Sequence, residues 1–406
     1  MEKSHFGNPS LKFAIALGAI AALGPSAVDM YLPSLPEMAV DYSTSVASIQ
    51  LTLTVFLLAM GLGQLLFGPV VDALGRRRPL IAGLLLFSLS ALAAGAAPTL
   101  EWLLVARFAQ GIGSALTLVV IMSMVRDVTQ GVQAAKLFGL LLTIQGVAPI
   151  IAPGLGGYIE AHFGWRAVML VLAVLGALVA VNSMAVLPET LPMQKREPLN
   201  MRLAIRTYAR IAKDGRFLRP ALALSAVFFF LFAYVGGATF VYQKEYGLPA
   251  AQFGTLFGAT GIAILIGAVV ATRLVGKYGL ARMATAGAFC IFAGSVMAYG
   301  AAVSGSSLYW LAAGVAVALL GLGIAETSLM TLVMSSQTTA LGSTAALLGA
   351  FQLGISAFAT PLTGWASSYG ATAWCAFLIV CAVMVGALTW VSVREGRAEH
   401  ITALNH

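Results

Sequence analysis

The stretch GPVVDALGRRRP, Gly68 to Pro79, decides how the rest of the chain is read. An apolar run over 46–70 leads into it and another over 79–97 leaves it, and each is long enough, at about 20 residues, to cross hydrocarbon as a helix. Between them stand one acid, Asp72, three arginines, Arg76 to Arg78, and the glycines Gly68 and Gly75. Glycine permits close helix approach and a tight turn, an Asp accepts hydrogen bonds at a helix end, and arginines suit an anionic lipid surface. The pattern is a helical hairpin whose turn lies at a membrane surface.

Outward from that hairpin the same grammar repeats. The 406 residues are 60% hydrophobic and 9% charged, beyond what a water-soluble globule carries. Helical spans are predicted at 12–36, 46–70, 79–97, 101–125, 136–160, 166–187, 219–243, 251–273, 283–303, 308–333, 342–366 and 371–393. The first run outlasts the apolar part of a signal peptide and reads as an uncleaved span. Cys290, Cys375 and Cys381 fall within apolar runs without regular spacing, which suits packing rather than a disulfide or zinc site. The turn Ser335-Ser336-Gln337-Thr338-Thr339 separates two spans without any charge.

Net charge is +8, but the basic residues sit in short loops, where they set orientation rather than bind nucleic acid. With a cytoplasmic N-terminus, Arg76, Arg77, Arg78, Arg126, Lys136, Arg273, Lys277, Arg282, Arg394 and Arg397 face inward, and only Arg166 and Lys244 face outward. Both termini are therefore expected in the cytoplasm. The one long polar break, Pro188 to Arg219, divides the chain into a six-span unit at 1–187, a linker at 188–218 and a second six-span unit at 219–406. Within the linker, basic residues over 201–213 alternate with Leu203, Ile205 and Ile211, as in an amphipathic helix on the inner leaflet; a solvated linker is the other reading. DALGRRRPLIAG at 72–83 aligns with GKYGLARMATAG at 276–287 through Gly75/Gly279, Arg78/Arg282 and Gly83/Gly287, a sign of internal duplication.

The G-x-x-x-D-x-x-G-R-R form of the opening stretch resembles the signature loop of the major facilitator superfamily. LLVARFAQGIGSA at 103–115 resembles its fourth-helix motif, and GVAPIIAPGLGG at 146–157 the fifth-helix motif of its antiporters. DMYLPSLP at 29–36, VRDV at 125–128 and GSTAALLGAFQ at 342–352 are similar to the bicyclomycin and chloramphenicol resistance (Bcr/CflA) branch of drug:proton antiporters. The resemblance implies an all-α integral membrane protein of two pseudo-symmetric six-helix bundles rocking about a cavity, with helices 1, 4, 7 and 10 facing it. It further implies proton-coupled export of chloramphenicol-like antibiotics or small metabolites from a bacterial inner membrane, by a monomer in contact with lipid and protons.

An intramembrane charge costs about 2.5–3.5 kcal/mol on insertion scales, so it pairs, lines a cavity or acts. Asp29, Arg107 and Glu326 are such charges, on spans 1, 4 and 10, and are the candidates for proton coupling. At about 1.5 Å rise per residue, Asp29 and Arg107 reach similar depth, so an ion pair between them is expected, parted when Asp29 takes a proton. A solvated Asp29 at a helix end and a purely structural Arg107 are the alternatives. Glu326 is a departure from the family pattern. It is a second proton site, a counter-ion for a cationic substrate, or an acid satisfied by Thr327 and Ser328.

Substrate candidates are Tyr31, Gln50, Gln110, Gln145, Phe228, Phe232, Tyr234 and Gln352, with Asn182 a further amide and Tyr242 and Tyr246 extending an aromatic face; amides also bridge helices, and aromatics also pack them. Gating candidates are Gly68, Asp72, Gly75, Arg76, Arg77, Arg126, Asp127, Pro149, Pro153, Gly154 and Gly157, where charge anchors a turn or Pro and Gly bend a helix. No phosphate-binding loop, His-Glu-x-x-His or Gly-x-Ser-x-Gly motif is present, and His5, His162, His400 and His406 lie in termini or a loop. No enzyme, metal or cofactor is expected, and a proton gradient is the energy source. Symport of a metabolite and a transport-inactive receptor are the other readings.

Overall fold

The computed structural model describes residues 10–337 and 340–404; His5, His406 and the Thr338–Thr339 turn lie outside them, as do the side chains of Arg397 and His400. The described residues are helical throughout, without strands. Span 1 is α1 (Leu11–Asp29) and α2 (Leu35–Asp41), joined by a 3-10 turn. Spans 2 to 6 are α3 (Val46–Leu74), α4 (Arg77–Gly95), α5 (Leu100–Val128), α6 (Gly131–Phe163) and α7 (Trp165–Val186). The linker carries α8 (Met201–Lys213). Spans 7 to 10 are α9 (Gly215–Phe240) with a π turn at Val241–Glu245, α10 (Ala250–Tyr278), α11 (Leu280–Val303) and α12 (Leu308–Ser335). Span 11 is α13 (Leu341–Ser356) with α14 (Ala359–Ser367), and span 12 is α15 (Ala371–Leu404). Twelve of these units are long and apolar enough to cross a membrane, and each coincides with a predicted span. An even number returns the chain to the side where it began, here called the terminal face; the opposite side is the far face.

Span 1 departs from the single helix expected. A proline ring strikes the carbonyl four residues back, so Pro33 ends the helix at Asp29 and Pro36 keeps Leu32 out of it. Elsewhere the starts are set by side-chain caps: Ser10, Ser45 and Thr99 accept from the backbone N–H of Phe13, Ser48 and Trp102.

The two halves use the same neighbours. α1 packs on α5, α6 and α7, as α9 packs on α12, on α13 with α14, and on α15; α4 lies on α5 and α7 as α11 lies on α12 and α15. Gly75, Gly164, Gly279 and Gly370, with φ of +88°, +77°, +80° and +96°, close the turns after spans 2, 5, 8 and 11, in a backbone region that favours glycine. The echo of 72–83 in 276–287 is thus structural: Gly83 lies against the Gly113 carbonyl of α5 and Gly287 against the Gly321 carbonyl of α12.

The halves meet along two seams that the pseudo-symmetry exchanges, α3 with α13 and α14, and α6 with α10. On the far side of the α6–α10 seam a Cβ at Gly157 would strike the Ala250 carbonyl, and one at Gly254 the Pro153 carbonyl. Toward the terminal face, a Cβ at Gly139 or Gly276 would meet nothing within 4 Å, so this seam loosens there.

The amphipathic stretch 201–213 is a helix, α8, capped by Asn200; Ile211 is buried while Leu203 and Ile205 are exposed. Pro69 inside α3 lacks an N–H and so leaves the Leu65 carbonyl without its helical donor. The Tyr208 hydroxyl of α8 donates to that carbonyl at 3.0 Å.

Candidate functional site

Arg107 on α5 is fully buried. Its Nη2 donates to the Ala27 carbonyl at 2.9 Å and its Nη1 to Gln110 Oε1 at 2.7 Å. The guanidinium carbon lies 4.3 Å from the centre of the Tyr31 ring and 4.5 Å from that of Phe56. The last four carbonyls of a helix have no helical donor, and Ala27 is among them because Pro33 ends α1 at Asp29. Arg107 therefore caps α1 from the side, where a cation also complements the helix dipole. Tyr31 is held in turn, its hydroxyl 3.1 Å from Thr52 Oγ1.

The expected Asp29–Arg107 ion pair is absent: the described residues give the Asp29 carboxyl neither an ion pair nor a hydrogen bond. The guanidinium is committed to a carbonyl, an amide and two rings, and needs no carboxylate. Nor is Asp29 solvated at an interface, being 6% exposed. The 3-10 turn at Leu32–Ser34 just beyond it packs on α9 and α10 of the other half, so Asp29 lies near the interface between halves.

Gln50, placed among substrate residues by the sequence, reaches across to the other half, its Nε2 donating to the Gly236 carbonyl at 2.9 Å. Two further bonds cross nearby, Gln243 Nε2 to the Pro33 carbonyl at 2.9 Å and Thr54 to Thr360 at 2.8 Å between hydroxyls. These are missed from sequence because nothing marks which span faces which. Tyr234 stacks on Phe257 with centroids 5.2 Å apart and bonds Thr260. Phe232 and Gln352 are buried, while Phe228 and Gln145 are half-buried. Gln110 and Gln352 each keep a buried Nε2 without a partner. Asn182 is exposed on α7, away from this group. The aromatic face expected to continue through Tyr242 and Tyr246 does not: the π turn at Val241–Glu245 shifts the register, and Tyr242 packs edge-on against Trp374.

Glu326 on α12 is half-buried and likewise has no ion pair or hydrogen bond among the described residues. Thr327 and Ser328 do not satisfy it, because their hydroxyls donate to the carbonyls of Gly323 at 2.9 Å and Ile324 at 2.8 Å.

At the terminal face the gating candidates assemble around Arg76, which reaches Asp72 at 2.7 Å and Asp127 at 2.8 Å. Arg77 donates to the Met184 carbonyl at 2.8 Å, and Arg126 to Ser123 at 3.0 Å. The linker adds residues the sequence reading missed. Glu189 accepts from the backbone N–H of Arg76 at 2.9 Å and of Arg77 at 3.3 Å, at the start of α4, and Thr190 donates to Asp127 at 2.8 Å. Partial burial opposes the Glu189 charge, but these N–H groups, that of Leu191 and the charge of Arg196 outweigh it and hold the carboxyl below its ordinary pKa. Gly68 lies beneath the Tyr208 hydroxyl, and Gly75 beside Arg196 and Glu189. Pro149, Pro153 and Gly154 sit within α6, which runs unbroken through them along the seam with α10.

The family model described as Major Facilitator Superfamily matches residues 17–352. The chain is 38% identical to an uncharacterized MFS-type transporter, YdgK, of Bacillus subtilis, over 88% of this chain and 90% of that one. It is 33% identical to a bicyclomycin resistance protein homolog of Haemophilus influenzae, over 67% of this chain and 68% of that one. In fold it is similar to a bacterial homolog of the human lysosomal transporter Spinster, solved inward-facing and unoccupied, with a TM-score of 0.72 at 14% identity over 94% of this chain and 96% of that one. The chain belongs to the Major Facilitator Superfamily, and within it is similar to a bicyclomycin resistance protein homolog.

Proposed function

We propose that the chain exports small amphipathic compounds, chloramphenicol-like antibiotics among them, in exchange for protons. Asp29 carries the reading: a buried carboxyl with no partner, at a helix break beside bonds that join the halves. Such a group takes up and releases a proton without first breaking an ion pair. Arg107 is then a positioning residue that fixes the break on which Asp29 sits. The terminal face is cytoplasmic in this reading, since Arg76, Arg77, Arg78, Arg273, Lys277 and Arg282 gather there against Arg166 and Lys244 opposite. Substrate enters where the α6–α10 seam loosens. Release follows when the crossing bonds of Gln50, Gln243 and Thr54 part and the halves rock. The gradient of a bacterial inner membrane drives a monomer that holds no cofactor.

The test is chloramphenicol-induced proton movement in proteoliposomes, intact chain against Asp29→Asn. Flux in the intact chain, lost in the variant while chloramphenicol still binds, is the expected result. Equal flux in both would remove Asp29 from the coupling path, and no flux in either would remove antiport of this drug.

A further inference from the structure

We propose that α8 is a binding helix for anionic phospholipid, with Arg202, Arg206, Arg210 and Lys213 on the headgroup phosphates of the leaflet at the terminal face. That role is independent of the transport reading above. α8 has two unlike faces. At about 100° per residue, Ala204, Tyr208 and Ile211 gather on one side, and these are turned to the protein: Ile211 is buried, and Ala204 and Tyr208 are half-buried. The four cations fall within an arc of about 80° on the opposite side, and all four are exposed.

Nothing in the chain neutralises that arc. α8 contains no acid, and among the described residues none of its four cations has an ion pair or hydrogen bond. Of the acids nearby, Glu189 is seated on the start of α4, and Asp214 accepts from the backbone N–H of Arg216 and from Gln337. Glu197, upstream of the helix, is outweighed by Lys195 and Arg196 beside it in sequence.

Depth brings the arc to lipid. α3 has 29 residues, about 43 Å of helix, close to the full thickness of a bilayer with its headgroups. The Leu65 carbonyl that Tyr208 holds lies nine residues from Leu74 at the terminal end, about 14 Å in. α8 therefore runs beside the last turns of α3, at headgroup level, rather than beyond them in water. Exposed Leu203 and Ile205 flank the cations on either side, with exposed Leu199 just upstream. At the edge of hydrocarbon these apolar side chains are covered, while Arg and Lys lay their stems along the apolar layer and keep their charge among phosphates, which a guanidinium grips with two N–H groups at once. An acidic protein would match the charge and not the depth.

The experiment counts phosphatidylglycerol and phosphatidylcholine of equal chain length bound to the detergent-purified full-length chain, by native mass spectrometry. The pair Arg206→Gln and Arg210→Gln is compared with the intact chain, with the pair Arg206→Lys and Arg210→Lys, and with Lys277→Gln and Arg282→Gln, which remove the same charge from α10 and α11. The ratio of phosphatidylglycerol to phosphatidylcholine affinity is expected to fall about tenfold in the first pair and to stay within about twofold in the other two. An unchanged ratio in the first pair would return α8 to solvent or to an acidic protein partner. An equal fall in the lysine pair would mark a structural effect, and an equal fall in the α10 and α11 pair one of net charge alone. Each of these three results overturns the proposal.

Discussion

The contacts within the N-terminal half and those that cross to the other half are made by different chemistry. At the terminal face Arg76 is locked between Asp72 and Asp127, with Glu189 seated on the start of α4. At the far face Asp41 accepts from Trp165 and Arg166. All of these charges tie loops to their own half or to the linker beside it. Three bonds that cross between halves, from Gln50, Gln243 and Thr54, are neutral. Breaking a buried ion pair such as Arg76–Asp127 by removing one partner costs about 3–5 kcal/mol, whereas an exposed pair such as Arg166–Asp41 is worth about 1 kcal/mol or less and hydrogen bonds between membrane helices average about 0.6 kcal/mol. Strong bonds thus stiffen the terminal end of the N-terminal half, and weak ones close the joint between the halves.

That contrast breaks if charge removal is tolerated. Arg76→Ala leaves the largely buried Asp127 with Thr190 alone while half-exposed Asp72 turns to water, and about 3 kcal/mol of stability is expected to go, read as a large fall in thermal unfolding temperature of the purified chain. Gly254→Val drives a side chain into the Pro153 carbonyl and is expected to cost about 1–3 kcal/mol of seam closure. Spin-label distances across α6 and α10 should then shift toward a wider far face, and an unshifted distribution would contradict the tight seam. Gln50→Ala and Gln243→Ala should each weaken closure by about 1 kcal/mol or less and add in the double variant, since the bonds share no partner.

The smallest expected effect is one of pH. Glu189 has a folded-state pKa below its ordinary value, so its stabilisation is complete above the unfolded value of about 4.3 and is lost as pH falls through the lower folded one. Glu189→Gln should flatten that acid limb of the stability profile and leave its slope near neutrality alone; an acid limb identical to the intact chain's would remove Glu189 from the clamp.

The spans were legible because bilayer thickness fixes the length of an apolar run, and the hairpin turn because Gly75 and the arginines have few other uses at that spacing. Asp29 and Arg107 stood out by the cost of placing charge in hydrocarbon. Their relation did not, since a search for partners among side chains overlooks a carbonyl, and it is the Ala27 carbonyl, freed by Pro33, that Arg107 holds. The bond from Gln50 to the other half was not legible either, because an amide carries no mark of which backbone it meets. Glu189 passed as linker, its role depending on a fold that returns it to the start of α4. The π turn that turns Tyr242 into the core has no signal in helical periodicity.

The Tyr208 hydroxyl on the Leu65 carbonyl changes what kind of connector the linker is. A cord between two bodies tolerates any length that reaches. This one has a keyed register: one residue inserted between Asn200 and Tyr208 would swing the ring by about 100° and expose the gap that Pro69 leaves, while the same insertion between Arg196 and Asn200 would only lengthen slack. Length variation is therefore expected upstream of α8 and not within its first two turns.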